Sequence, residues 1–420
     1  MATPRKLKMT PRRALLMATV LAATAMPTAC AFSGDESTPA PPAAASKEKE
    51  AKEEKEAEAA EQAEEATGAK DTSVTANSGS GSGSASGSDS ITTAAAAADT
   101  YVPGADPSVI KVGSTYHAVK TIGGGIAVRS APTLAGLANV ASKKVWTDPG
   151  IGDIWAPKLV KVGAKYYIYF TGGKSAAHRM YAISSDSPNT GYGTAQKIAL
   201  PDDMWAIDGS VFRYNNQLWM VWSGWSKATN GSEQNLYIVK MSGPTTPTGP
   251  RYIISQPRES WERKVGKPYI NEAPIPLKDP EGLLHIVYSA NGSWSDQYCL
   301  GELRLRKGGN PTYIWDWYKS NGCLFGSNPA TMMKGWPATS KVNGPGSNSF
   351  ALLDGDINNS PPAGPRAPFV YHAVPKGTPY SWSARQWRNG TFVWWGNTTY
   401  TRANVPGATS NTGASLRFFE

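Results

Sequence analysis

From residue 101 to the end of the chain, apolar positions almost never recur at helical spacing. They come as short aromatic and β-branched runs, cut by Gly, Asn, Asp and Pro. That pattern predicts strands and tight turns, an all-β fold. Stacking the runs reveals a repeat. Residues 108–116 (Ser-Val-Ile-Lys-Val-Gly-Ser-Thr-Tyr) form one copy, and residues 158–170 a second. Residues 210–222, residues 275–288, and residues 348–356 with 367–372 form three more. Each reads as a strand, a tight polar turn and an aromatic strand, which is a β-hairpin. The copies lie about 50 to 75 residues apart, room for a four-stranded propeller blade and an insertion. The expectation is a five-bladed β-propeller over residues 101–420. A β-sandwich is the alternative, but it does not predict hairpins at blade spacing.

The first hundred residues follow another pattern. The chain has 15 tryptophans, and none precedes Trp146. A segment without Trp or Tyr buries too little apolar surface to offset its ordering entropy. Residues 31–100 are low complexity: Lys, Glu and Ala alternate, then Gly and Ser, then polyalanine. They read as a spacer, semi-rigid and then flexible. Residues 1–30 join a basic start to a short apolar run and the sequence Met-Pro-Thr-Ala-Cys, the layout of a secretory signal peptide. Two processing routes stay open. Cys30 is lipidated and tethers the chain to a membrane, or cleavage nearby releases a soluble protein. Either way the domain is expected outside a bacterial cytoplasm, secreted or at the cell surface.

With three cysteines in all, a modified Cys30 leaves Cys299 and Cys323 to pair in an oxidising compartment. The alternative is two free, buried thiols. The net charge of +9 comes from scattered basic groups in the aromatic part, with no Lys/Arg-rich run, so no nucleic acid partner is expected. The four histidines lack metal-ligand spacing. His372 reads as packed core. A monomer is expected.

The carboxylates carry the candidate chemistry. Asp106, Asp208 and Glu272 each stand just before the first strand of a repeat. In a propeller, matching places converge at one end of the channel. Clustered carboxyl groups raise one another's pKa, so one keeps its proton while another stays ionised. Glycoside hydrolysis needs that division. Trp155 and Trp205 lie close by in sequence, placed to pack against a sugar face or to fill the channel.

The order Ala-Asp-Pro-Ser-Val, Ile-Trp-Ala-Pro, Ile-Asp-Gly-Ser-Val-Phe, Asn-Glu-Ala-Pro and Gly-Pro-Gly-Ser-Asn-Ser-Phe resembles glycoside hydrolase family 43, a group of five-bladed β-propellers. Residues 219–225, 237–241 and 287–290 resemble its arabinofuranosidase branch. The resemblance implies Asp106 as general base, Glu272 as general acid and Asp208 as the carboxylate that orients the acid and tunes its pKa. It implies inversion at the anomeric carbon, with base and acid about 6.5–9.5 Å apart. The expected activity is exo release of terminal α-L-arabinofuranose from arabinan or arabinoxylan. A β-xylosidase, an endo-arabinanase or a non-catalytic carbohydrate-binding propeller are the alternatives, all on arabinose- or xylose-containing saccharides. The chain departs from the family at Ser347, where a His usually helps organise a cation or water cluster, and at Ala273, where Gly is frequent. The first departure counts against a central calcium, and no cofactor is expected to be required.

Overall fold

The computed structural model describes residues 101–227, 231–402 and 410–420. The leader, Cys30 and the spacer lie outside them. The described chain is all-β, with a few 3-10 turns. It forms two four-stranded sheets, a nine-stranded sheet and a five-stranded sheet. The nine-stranded sheet is two antiparallel halves. They are joined only where Glu233 and Gln234 pair in parallel with Tyr269 and Ile270. We therefore count five sheet units.

Each unit opens with a lead strand: Ser108–Val112, Asp153–Val162, Ala206–Tyr214, Tyr269–Lys278 and Val342–Phe350. An antiparallel partner follows each. Turn chemistry sets the register of the first three hairpins. Gly113, Gly163 and the pair Asn215–Asn216 take the positive φ that two-residue turns require. The fifth unit departs from the expected tight turn. Its lead strand ends at Phe350 and the partner begins at Ala367. The residues between cross beneath the other lead strands. Lys111 N donates to Leu352 O (2.9 Å), Lys161 N to Asp354 O (2.9 Å) and Lys278 N to Ser360 Oγ (3.1 Å).

Strand side chains alternate between two faces, and here both faces are buried. Ile168 and Phe170 pack toward the first unit, Tyr169 toward the third. One apolar cluster fills each space between neighbouring units, first to second through fourth to fifth, and another joins the fifth to the first. Trp219 and Trp222 belong to these clusters. The lead strands follow the same order, each packing on the next, and the fifth on the first. Cys299 and Cys323 are bonded to each other (S–S 2.09 Å).

Candidate active site

All five lead strands share one irregularity. A residue near each start has left-handed φ: Asp106 (52°), Ala156 (44°), Asp208 (59°), Ala273 (48°) and Ser347 (42°). In four of them that residue and its successor drop out of the ladder as a bulge. Left-handed φ is disfavoured for non-glycine residues, least for Asp and Asn. Five such residues at one place in a repeat give every lead strand the same local turn.

This corrects one expectation. Asp106 and Asp208 are structural equivalents, but Glu272 is not their counterpart. Ala273 holds the left-handed place, and Glu272 stands one residue earlier, where the second unit has Trp155. The bulge turns the chain at Ala273 so that its N–H donates to Asp208 Oδ2 (2.9 Å). The backbone that carries Glu272 is thereby pinned to Asp208.

The N–H of the left-handed residue is met by a side chain in three further units. Asp208 N donates to Thr171 Oγ1 (3.2 Å), Ser347 N to Ser289 Oγ (2.8 Å) and Asp106 N to His372 Nδ1 (3.0 Å). The acceptor always comes from the second strand of the preceding unit, the fifth preceding the first. Thr171, Ser289 and His372 also match in register, opposite Trp155, Glu272 and Gly346. His372 is fully buried, as core was expected to be, but its ring does more than pack. Because Nδ1 accepts from Asp106, the imidazole proton belongs on Nε2. Tyr298 stacks on that ring (centroids 5.6 Å apart) and lies so close to Gly346 that a Cβ there would overlap it.

The three carboxyl groups differ in surroundings. About 31% of the Asp106 side chain reaches solvent, while Asp208 and Glu272 are buried. Burial works to raise Asp106, but positive charge on His372 in acid, the cations Arg385 and Lys158, and the Ser347 hydroxyl outweigh it and hold the group below the usual carboxylate range. Burial, then the charge of Asp106, pushes Asp208 up to about 7. Burial, then Asp208, pushes Glu272 up to about 8, against the Tyr298 hydroxyl and Arg385. Burial, then Arg385, drives His372 down to about 3, so it is neutral. Near neutral pH the cluster therefore holds an ionised, accessible Asp106 and a protonated, buried Glu272, the pair that acid–base catalysis requires.

Trp155 stacks on His178 (3.9 Å), which meets Trp205 edge-on (6.3 Å). Trp205 in turn stacks on Trp225 (4.9 Å). Trp205 is buried, and Trp155 and Trp225 are half-buried, so this aromatic row runs beside the starts of the second and third lead strands. Sequence reading missed Lys158, Tyr298, Tyr380 and Arg385 at the site, and the role of His372. For His372 a signal existed: four second strands carry an aromatic followed by Thr171, Ser223, Ser289 or His372.

Comparison with known proteins places the chain in a family. The model of glycosyl hydrolases family 43 matches residues 102–357. His372, Tyr380 and Arg385 lie beyond that match. The chain is similar to alpha-L-arabinofuranosidase 43 of Humicola insolens, at 30% identity over 61% of this chain and 53% of that one. It is similar to the extracellular exo-alpha-(1->5)-L-arabinofuranosidase of Streptomyces avermitilis, at 31% identity over 60% of this chain and 52% of that one. The chain thus spans about half the length of these relatives. Among solved structures it is similar to an alpha-L-arabinofuranosidase from Lactobacillus brevis, with a TM-score of 0.58, 26% identity, and coverage of 69% of this chain and 91% of that one.

Proposed function

Since the chain belongs to glycosyl hydrolases family 43, we propose that it is an inverting, exo-acting α-L-arabinofuranosidase on a closed five-bladed propeller. The core clusters between successive sheet units, including fifth to first, support the closed ring. One observation carries the chemistry: Asp106 is held ionised while Glu272 keeps its proton up to about pH 8.

Water enters beside the partly exposed Asp106, which takes its proton as the oxygen attacks the anomeric carbon. Glu272 gives its proton to the departing glycosidic oxygen, and the configuration inverts. Asp208 holds the backbone of Glu272 through Ala273 N and raises the acid's pKa. Trp155, half-buried, carries the apolar face of the sugar, while Trp205, expected to share that role, is buried against Trp225 and supports the row from behind. The substrate is arabinan or an arabinoxylan side chain, and the relatives named as extracellular enzymes support export.

We assign no step to a metal ion. Calcium takes six to eight oxygen ligands. Beside Asp106 stand the ammonium of Lys158 and a His372 whose Nε2 carries the proton, which do not fit that cation. The test is hydrolysis of aryl α-L-arabinofuranosides, aryl β-D-xylosides and linear arabinan by the full chain. Release of arabinose from the first substrate, with inverted product in proton NMR, is expected. No turnover on any of the three, or a retained anomer, overturns the reading. Xylose release alone reassigns the enzyme as a xylosidase.

A further inference from the structure

The lead strands carry a second repeated place, two residues past the left-handed one: Ser108, Lys158, Ser210, Ile275 and Ser349. Where serine's partner is visible, this place laces one unit to the next. Ser349 Oγ accepts from Val109 N (2.9 Å), and Ser108 Oγ accepts from Leu159 N (3.0 Å). Lys158 holds the same place in the second unit, but its side chain is too long to cap the adjacent strand. It is 5% exposed, and Nζ has no hydrogen-bond partner among the described residues.

A buried, unpaired ammonium costs several kcal/mol unless negative charge surrounds it. Here it has that charge. The strand that carries Lys158 packs between the lead strands next to Asp106 and Asp208. The other charged or titratable groups that act on this cluster are Glu272 from the fourth lead strand, Tyr298, His372, Tyr380 and Arg385.

We propose that Lys158 is a positioning residue that fixes the charge distribution of the site: its ammonium holds Asp106 as the carboxylate and leaves the cluster's proton on the acid side, so that base and acid are sorted before substrate arrives. The electrostatics agree with the geometry. Lys158 favours the ionised forms of Asp106 and Asp208, and both carboxylates favour its cation, although burial leaves Lys158 below its usual value. Because the lysine acts on the carboxylates through charge, without a hydrogen bond, and from a place used elsewhere for interstrand bonding, its role is electrostatic and separate from the aromatic row that holds Trp155 and Trp205.

This inference rests on the proposed glycosidase activity, and the test separates the two. Turnover of an aryl α-L-arabinofuranoside by wild-type full chain comes first; its absence sinks the activity, not the role of Lys158. Then kcat and KM are measured against pH for wild type, Lys158→Met and Lys158→Arg. Lys158→Met should lose about 100-fold in kcat near neutral pH, with KM within about threefold. The acid limb of its kcat/KM profile should move up by about one pH unit or more, because an Asp106 without its cation takes a proton more readily. Lys158→Arg should keep the wild-type acid limb. An unmoved limb in Lys158→Met, or a loss confined to KM, overturns the proposal. If Lys158→Met does not fold, Lys158→Arg decides: a limb displaced by a full unit despite the retained charge also overturns it.

Discussion

The molecule buries two clusters of carboxylates around a histidine, and they behave in opposite ways. One is the Asp106, Asp208 and Glu272 site. The other lies in the fourth unit, where His285 is gripped by Glu302 at Nδ1 and by Asp279 at Nε2 (3.1 Å). Glu302 also accepts from Tyr400 and Ser415, and Asp279 from the backbone of Glu281 and Leu283. Burial opposes charge in both clusters. In the second, His285 and these donors outweigh it, so Asp279 and Glu302 fall below their usual range and His285 rises. In the first, Lys158 Nζ and His372 Nε2 stay without partners among the described residues, and two carboxyl groups keep protons. Satisfied buried charges fix a structure; unsatisfied ones are held ready for a substrate.

Breaking each cluster should separate the two roles. Glu272→Gln should lower kcat on an aryl arabinofuranoside by about 1,000-fold or more without any loss of thermal stability. Glu302→Gln should do the reverse. It leaves the imidazolium underpaired, at about 3–5 kcal/mol in denaturant unfolding, with kcat per folded molecule within about threefold. Equal effects of both variants on kcat would erase the distinction.

The next effect is on pH. Glu272 loses its proton near pH 8, so activity falls on the alkaline side there. Asp208 is the charge that most raises it, so Asp208→Asn should shift the alkaline limb of kcat/KM to lower pH. An unmoved limb contradicts the coupling. His372→Val removes the acceptor for Asp106 N and should cost about 10-fold in kcat, on the scale of one hydrogen bond. His372→Thr, the residue at the matching place in the second unit, should recover part of it.

A further effect is on stability. Glu272 has a folded pKa of about 8 against an ordinary 4.5, so the folded state binds more protons between those values. Wild type therefore loses stability as pH rises from about 4.5 to about 8. Glu272→Gln, which does not titrate, should melt above wild type at pH 9 and show no such gain at pH 4. A variant that gains nothing at pH 9 would mean that the carboxyl group ionises freely.

The hairpins were legible in the sequence because period-two apolar runs and turn residues are local. Legibility failed where a bulge intervened. In Asn-Glu-Ala-Pro the sign that Ala273, not Glu272, matches Asp208 is Pro274, which stands where Pro107 and Pro157 follow the left-handed residues of the first two units; it reads as a turn residue until the ladder around it is known. His372 was visible only by comparing second strands, where it stands in for Thr171 and Ser289. A lysine after proline reads as surface, so Lys158 became a site residue only once its strand lay between two carboxylates. Tyr380 and Arg385 come from a loop that repeats nowhere else in the chain.

The segment between Phe350 and Ala367 also constrains ancestry. It reaches Lys111, Lys161 and Lys278 with backbone and hydroxyl bonds of fixed span. Repeat proteins commonly gain or lose modules by duplication. Here an added module would draw Asp354 away from Lys111 and Lys161, and a deleted one would leave the span slack. Descendants of this chain can diversify by substitution within a module, but their module number is set by one stretch of backbone.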